Sequence, residues 1–466
     1  MALRDHRYFL ALLGLGALVR IAVQVAFPPG FVFSDGPAYL GLVDHLEPLP
    51  DRAVGYGFLL RALAWASRDV WLITGVQHLL GLVTAVLAYT LLVRLGVGRR
   101  LAALATVPVL FDSMQLVLEH SVLSDVAFDL VVLGGVAVLA WRPRPTLPAT
   151  LVAGLLLGTA VCVRVVGQPL IVAAVVFCLL AGATWRRGVA CALALTAAFA
   201  VPVTLYATWY HHDHGTWALS ESGGRALYMR TTAFVDCSRF TVPDYERPLC
   251  PAEPVGQRLE PTEYGWHTPD GTHGLRPPPT ITPGDAMGDF AEAAIRAQPG
   301  DYVRVVVRDF ASNFFVPRRD FFEYDTASKW TFDRYLTFQT SDFTRPAYEA
   351  HGGQLPRVRQ PWAWAVAGYG AVVYLWGPVL LSLLVLCVAG LLRRGPSWAP
   401  PTRPAIFLCL AVGAGLMLAP DATAEFVWRY QLPAVLLLPM GAALAWTRLR
   451  GAGSPQPGTV ATPSTD

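Results

Sequence analysis

The residues best equipped for chemistry in this chain are carboxylates and arginines set into apolar sequence. Asp35 and Asp44 lie in FVFSDGPAYLGLVDHL, residues 31–46, and Glu119, His120 and Asp125 lie in DSMQLVLEHSVLSDVAFDL. Arg20, Arg61, Arg164 and Arg429 occupy similarly apolar surroundings. A carboxylate draws a proton from an attacking hydroxyl as a general base. An arginine binds phosphate through its rigid fork of donors and stays charged where water is scarce. A phosphate leaving from a diester donor departs as a stable anion once a cation faces it, so this pairing needs no general acid. It suits transfer from a lipid-linked phosphate donor at a membrane surface to an acceptor hydroxyl.

Each residue also has a plainer reading. Ser34-Asp35 before Gly36-Pro37 suits a helix N-cap, and Glu119 and His120 could simply end a span. Asp125 resists this, because it falls a turn inside an apolar window, where an ionisable group is costly without a polar cavity or partner. If residues 35–46 are helical, Asp44 lies about 180° round from Asp35, so the two share no face. His45 reads as a polar surface residue. HHDH at 211–214 reads as the end of a span, with a divalent metal as the lesser alternative. No cofactor is otherwise expected. Gly14 and Gly16 follow no strand, which argues against a nucleotide fingerprint, and Gly154 and Gly158 have the spacing of small residues at a helix contact.

The elements that must position these groups are spans. The chain has 466 residues, 54% hydrophobic and only 15% charged, with mean hydropathy +0.43. That much apolar surface does not fit inside one aqueous core. A bilayer core needs roughly 20 apolar residues per helix, and about ten such windows occur: 8–27, 71–93, 100–118, 122–141, 148–163, 168–185, 188–210, 363–391, 404–420 and 427–446. The first contains Arg20 and lacks a small-residue cleavage site, so it reads as a retained anchor. The expected class is an α-helical polytopic membrane protein with a mixed, partly irregular extracytoplasmic domain.

Short cytoplasmic loops carry the excess of arginine. Arg4 and Arg7, Arg94 to Arg100, Arg142 and Arg144, Arg186 and Arg187, Arg393 and Arg394, and Arg448 and Arg450 all agree with a cytoplasmic N-terminus. The loop 28–70, the turns near 119–121 and 164–167, the stretch 212–361 and the turn 420–426 then lie outside. Residues 1–211 form the first membrane module, 362–447 the second, and 448–466 a disordered cytoplasmic tail. The net charge of +3 rests on arginine, with Lys329 the only lysine. It implies no nucleic-acid partner, and the composition suggests a GC-rich, actinobacterial source and the plasma membrane.

Five of the seven cysteines fall in spans, while Cys237 and Cys250 stand alone in the outer stretch. In an oxidising compartment they read as a disulfide closing a hairpin-like loop, which would add about 3 kcal/mol on the loop-entropy model. Beyond residue 285 a helical period appears, with Phe290, Ala293 and Ala294 on one face and Val303, Val306, Val307 and Phe310 on the next. Pro299-Gly300 forms the break. Two short amphipathic helices near the outer membrane surface are expected.

An arginine-bearing first span, then SDGPAYLGLVDHL, the Gly-Tyr-Gly turn of RAVGYGFLLRAL, VLSD, GLLLGTAVCVRVVGQPL and a late RYQLP follow one another in order. Residues 1–210 thereby resemble the integral-membrane GT-C glycosyltransferases, in particular bacterial relatives of protein O-mannosyltransferases and aminoarabinose transferases. The resemblance implies a polyprenyl-phosphate sugar donor and an acidic base in the first outer loop, here Asp35, with Asp44, Glu119 and Asp125 as second acidic candidates. Asp125 stands where family members commonly have Glu. Arg164, Arg61, Arg429 and Arg20 become candidates for the donor phosphate, and Tyr39, His120 and Tyr430 for substrate contact. The implied acceptor is an extracytoplasmic hydroxyl of a cell-wall glycan, lipid or protein. The competing function is a transporter or flippase of a lipid-linked or anionic substrate, against which stand the crowding of ionisable groups on one face and the lack of matching halves. A non-catalytic scaffold binding cell-wall polymer leaves Asp35 and Arg164 without a role.

Overall fold

The computed structural model describes residues 3–266, 274–316, 327–335, 341–393 and 403–451; the tail reading falls almost wholly outside them. The first module runs α1 (Arg7–Ala26), α2 (Gly36–Gly41), α3 (Gly55–Ala64), α4 (Val70–Arg94), α5 (Arg99–Ala105), α6 (Val107–Phe111), α7 (Ser113–Glu119), α8 (Asp125–Ala140), α9 (Leu147–Val163), α10 (Leu170–Ala181) and α11 (Trp185–His214). The intervening stretch holds α12 (Ser222–Thr232), α13 (Pro261–Trp266), α14 (Pro283–Ala297), α15 (Pro299–Ser312) and α16 (Arg345–Ala350). The last module holds α17 (Trp362–Gly370), α18 (Gly377–Leu392), α19 (Arg403–Thr423) and α20 (Leu432–Gly451). No strand occurs among the described residues beyond two isolated bridges.

Arg7–Ala26, Val70–Arg94, Trp185–His214, Arg403–Thr423 and Trp428–Arg450 are long and apolar enough to cross a bilayer, and Leu147–Val163, Val165–Ala181 and Gly377–Leu392 are shorter apolar helices. The chain is an all-helical, multi-pass membrane protein. Two expected spans are corrected. Window 100–118 breaks into α5, α6 and α7, and window 363–391 into α17 and α18. The two breaks dock on each other. The Asp112 carboxylate accepts from the backbone amides of Met114 and Gln115, starting α7, and its other oxygen accepts from the Leu375 amide at 2.6 Å. Ser113 N–H donates to the Val373 carbonyl at 2.9 Å. Irregular backbone at membrane depth is tolerated where protein satisfies it, and here each break satisfies the other.

Small residues set the closest helix contact. Cβ atoms added at Gly154 and Gly158 of α9 would lie 2.4 Å and 2.3 Å from the Leu195 and Phe199 carbonyl oxygens of α11, so the expected small-residue spacing is where these backbones meet. The five span cysteines are buried and free. The charges sort to two ends. Asp5, Tyr8, Arg99, Arg100, Trp446 and Arg450 line one cleft, and Arg142 and Arg144 rim another beside Leu87. Asp35 and its partners lie at the other end of α1 and α4.

In the intervening stretch Cys237 and Cys250 are joined, but 3-10 turns at Cys237–Arg239 and Asp244–Leu249, not a hairpin, fill the loop. A capping box between Thr282 and Asp285 starts α14, which buries Met287, Phe290, Ala291 and Ala294 in the core of this subdomain. Helix α15 does the reverse. Its buried positions include Asp309, which receives Arg230 at 2.6 Å, while Val303 and Val307 are more than half exposed. Arg230 also donates to the Asp421 carbonyl of α19 at 3.0 Å, tying the subdomain to the spans.

Candidate active site

Asp35 stands at the N-cap of α2, yet its side chain makes no cap bond. One carboxylate oxygen meets Arg52 at 2.9 Å and the other meets Arg429 at 3.1 Å. The plain capping reading therefore does not describe it. The preceding residue, Ser34, is the single non-glycine at positive φ among the described residues, at 52°. That conformation costs about 1 kcal/mol and persists only where neighbours enforce it. The enforcement is visible along the incoming loop. Phe31 N–H donates to the His120 carbonyl and Val122 N–H to the Phe31 carbonyl, both at 2.9 Å. The Tyr348 hydroxyl accepts from Val32 N–H and donates to the Gly30 carbonyl.

The other charges arrive from separate elements. Arg52 comes from the loop between α2 and α3 and also pairs with Asp51. Asp125 opens α8, and Arg164, in extended backbone at the C-cap of α9, meets it at 2.5 Å. Arg429 lies in the 3-10 turn Trp428–Gln431 ahead of α20. Gly55 lets the Arg52 loop and the end of α9 come together, since a Cβ there would sit 2.5 Å from the Cys162 carbonyl oxygen. Tyr430 carries a guanidinium on its ring from both Arg164, at 5.7 Å, and Arg429, at 5.3 Å, and Trp330 lies 5.4 Å from Arg429. The Tyr39 and Ser124 hydroxyls share a hydrogen bond at 3.1 Å.

These groups form one electrostatic unit. Burial pushes the Asp35 carboxyl up, but Arg429, Arg52 and Arg164 together outweigh it and hold the group below the ordinary carboxylate range. Burial and the Asp35 charge push the Tyr39 phenol up to about 12, so it stays a neutral donor. The ion pairs are incomplete. Nε and Nη1 of Arg429 and one oxygen each of Asp125 and Asp129 are buried without a hydrogen-bond partner. Asp125, Asp129, Arg164, Arg429 and Tyr430 line a small cavity with Phe128 and Leu416.

Among the residues singled out from sequence, the structure brings Asp35, Asp125, Arg164, Arg429, Tyr39 and Tyr430 together. Asp44 pairs instead with Arg68 at 2.7 Å on an exposed surface, and Arg61 is exposed on α3. Arg20, Glu119 and His120 form a separate buried set, with Arg20 on Glu119 at 2.6 Å. Among the described residues no three His, Cys, Asp or Glu side chains are grouped to hold a metal ion. In HHDH the side chains do not converge on one point: His212 pairs with Asp213, while His211 stacks on Trp217 and His214 donates to the Pro48 carbonyl.

Sequence reasoning passed over Arg52, Asp129 and Trp330. Asp129 had a signal, since it falls four residues after Asp125 and so on the same face of an apolar helix. Arg52 had a weaker one, as an arginine just before the quoted Gly-Tyr-Gly turn. Trp330 had none.

No protein-family model matches the chain, and no curated protein matches it. It is similar to the crystal structure of the Archaeoglobus fulgidus oligosaccharyltransferase in the apo form, at 12% identity and a TM-score of 0.46, with 94% of this chain and 50% of that chain covered. The chain thus spans about half the length of that protein. It is also similar to the crystal structure of ArnT from Cupriavidus metallidurans bound to undecaprenyl phosphate, at 14% identity and a TM-score of 0.33, with 93% of this chain and 77% of that chain covered. Both TM-scores lie below 0.5, and both likenesses are loose.

Proposed function

We propose that this chain is a GT-C-type membrane glycosyltransferase that moves a sugar from a polyprenyl-phosphate donor to an acceptor hydroxyl on the outer side of the plasma membrane. The observation that carries the reading is the Asp35 carboxylate gripped between Arg52 and Arg429 while Arg429 keeps two buried nitrogens unpartnered. Rigid donors of that kind fit phosphate oxygens, and a carboxylate beside them fits a base.

In this reading the donor phosphate settles on Arg429 and Arg164, drawing Arg429 from Asp35. The released carboxylate faces the acceptor hydroxyl. As the acceptor oxygen bonds to the anomeric carbon, the bond from that carbon to the phosphate oxygen breaks, its electron pair stays on the phosphate, and the hydroxyl proton passes to Asp35. The arginines act most strongly as the phosphate gains charge, which lowers the barrier and not only the binding energy. The phosphate charge also favours the protonated form of Asp35, strengthening a base that the arginines hold weak in the free protein. In this reading Tyr39 and the unpartnered oxygens of Asp125 and Asp129 meet sugar hydroxyls.

The test uses the full chain in lipid vesicles with a panel of polyprenyl-phosphate donors labelled in the sugar and membranes of the producing cell as acceptor. Transfer that depends on Asp35 supports the reading. Donor crossing between leaflets without transfer, for every donor tried, replaces it with the transporter.

A further inference from the structure

A second polar set lies under the loop that carries Asp35, and the proposed reaction does not use it. Glu119, His120 and His78 are 0%, 0% and 5% exposed. Glu119 Oε1 accepts from Arg20 at 2.6 Å and from the Gln115 amide at 2.9 Å. Its Oε2 lies 2.8 Å from His78 Nδ1, His78 Nε2 lies 3.2 Å from His120 Nδ1, and His120 Nε2 lies 2.8 Å from the Phe27 carbonyl oxygen. Gly81 makes the room, since a Cβ there would sit 1.8 Å from Glu119 Oε1.

The directions of these bonds fix a proton count. A carbonyl only accepts, so His120 Nε2 must carry hydrogen. A neutral His120 then offers Nδ1 as an acceptor, and His78 must donate from Nε2. A neutral His78 in turn offers Nδ1 as an acceptor, and it faces a carboxylate oxygen that, ionised, also only accepts. Three links need three protons, and two neutral imidazoles supply two. The third sits between His78 and Glu119, as imidazolium with carboxylate or as imidazole with carboxylic acid. Moving the extra proton to His120 leaves the count the same.

We propose that Glu119, His78 and His120 hold this additional proton, and that the proton-bearing chain positions the first outer loop by pinning the Phe27 carbonyl. The same His120 takes Phe31 N–H on its own carbonyl and meets the Phe31 ring edge-on at 4.9 Å. It therefore holds both ends of the segment that leads to Ser34 and Asp35. These are positioning residues, and no contact with substrate is required of them. The charged and titratable groups facing the set are Arg20 from α1 and, electrostatically, the Tyr369 phenol of α17, which Asp112 also reaches. Tyr56 reaches it only through Gln77, which binds the Glu119 and Ser121 carbonyls.

The proton count is tested without activity. The full chain in lipid discs, labelled with ¹⁵N-histidine and ¹³C-glutamate, is read by NMR at neutral pH, with His78→Gln and His120→Gln assigning the signals. The expected result is a proton on His120 Nε2 together with one proton beyond two neutral imidazoles: an imidazolium at His78 or His120, or a protonated carboxyl at Glu119. Two neutral histidines beside an ionised Glu119 overturn the proposal. The positioning role, which rests on the transferase reading, is tested by kinetics. His120→Ala should lower kcat about tenfold with donor KM within twofold, and His120→Gln, which keeps an amide donor for Phe27, should recover most of it. Glu119→Gln supplies an uncharged donor to His78 and should keep kcat. Equal losses in His120→Ala and His120→Gln, or parent activity in both, overturn the positioning role. If no transfer is found for the parent, the transferase reading fails while the NMR outcome still decides the proton.

Discussion

Two arginine–carboxylate clusters sit at one end of this molecule and do different work. Around Glu119, an interior carboxylate receives Arg20, Gln115 and His78, and Arg20 spends its remaining Nη donors on the Gly16, Val109 and Leu110 carbonyls. Around Asp35, a carboxylate that is 28% exposed is held by two arginines, one of which keeps unpartnered nitrogens. Residue type does not separate the two, and neither does saturation alone, since Arg20 also keeps a buried Nε without a partner; access does. A cluster whose carboxylate is sealed from water and held by several donors of the protein resists change and fixes a geometry. One with spare donors next to solvent can exchange a partner for a ligand.

The contrast breaks most visibly under truncation. Glu119→Ala leaves a buried Arg20 without its counter-charge, and such losses cost about 3–5 kcal/mol. The expected outcome is a large fall in thermal midpoint or folded yield in detergent, while Asp35→Asn stays near the parent. Asp35→Asn should instead reduce sugar transfer by at least about 10², with donor binding kept. Parent-level transfer in Asp35→Asn would move the base elsewhere, to Asp125 first. Arg164→Ala should weaken donor binding about tenfold and also slow the reaction, because its role begins in the ground state and grows with phosphate charge. A change in binding alone would confine it to the ground state.

The pH profile sharpens the same comparison. The arginines depress Asp35 in the free protein, so its ion pairs are present above the ordinary carboxylate range and are lost only as pH falls through the depressed value. The acid limb of kcat/KM, which reports the free enzyme, should lie below the ordinary carboxylate range. With donor phosphate bound, a negative charge opposes the arginines, so the acid limb of kcat should lie higher than that of kcat/KM. Coincident limbs would mean that the phosphate does not engage these arginines. The smallest effect belongs to Asp44→Asn, where an exposed pair with Arg68 is removed and transfer should change less than twofold.

Composition and spacing determined much of this protein. The apolar windows made it a helical membrane protein, Asp125 betrayed itself by its depth in one of them, and two lone cysteines announced their bond. Those inferences rest on local facts, because the cost of an exposed backbone or a buried charge in lipid is paid residue by residue. Tertiary structure alone decided which charges meet. Arg429 reaches Asp35 from a turn 394 residues away, and Arg20 reaches Glu119 instead, because α1 packs against α6 and α6 against α7, which puts the Glu119 carboxylate within hydrogen-bond reach first. The breaks near Asp112 and Leu375 were hidden for the same reason. Each interrupts an apolar window that reads as one helix, and each is stable only because the other supplies its missing hydrogen bonds.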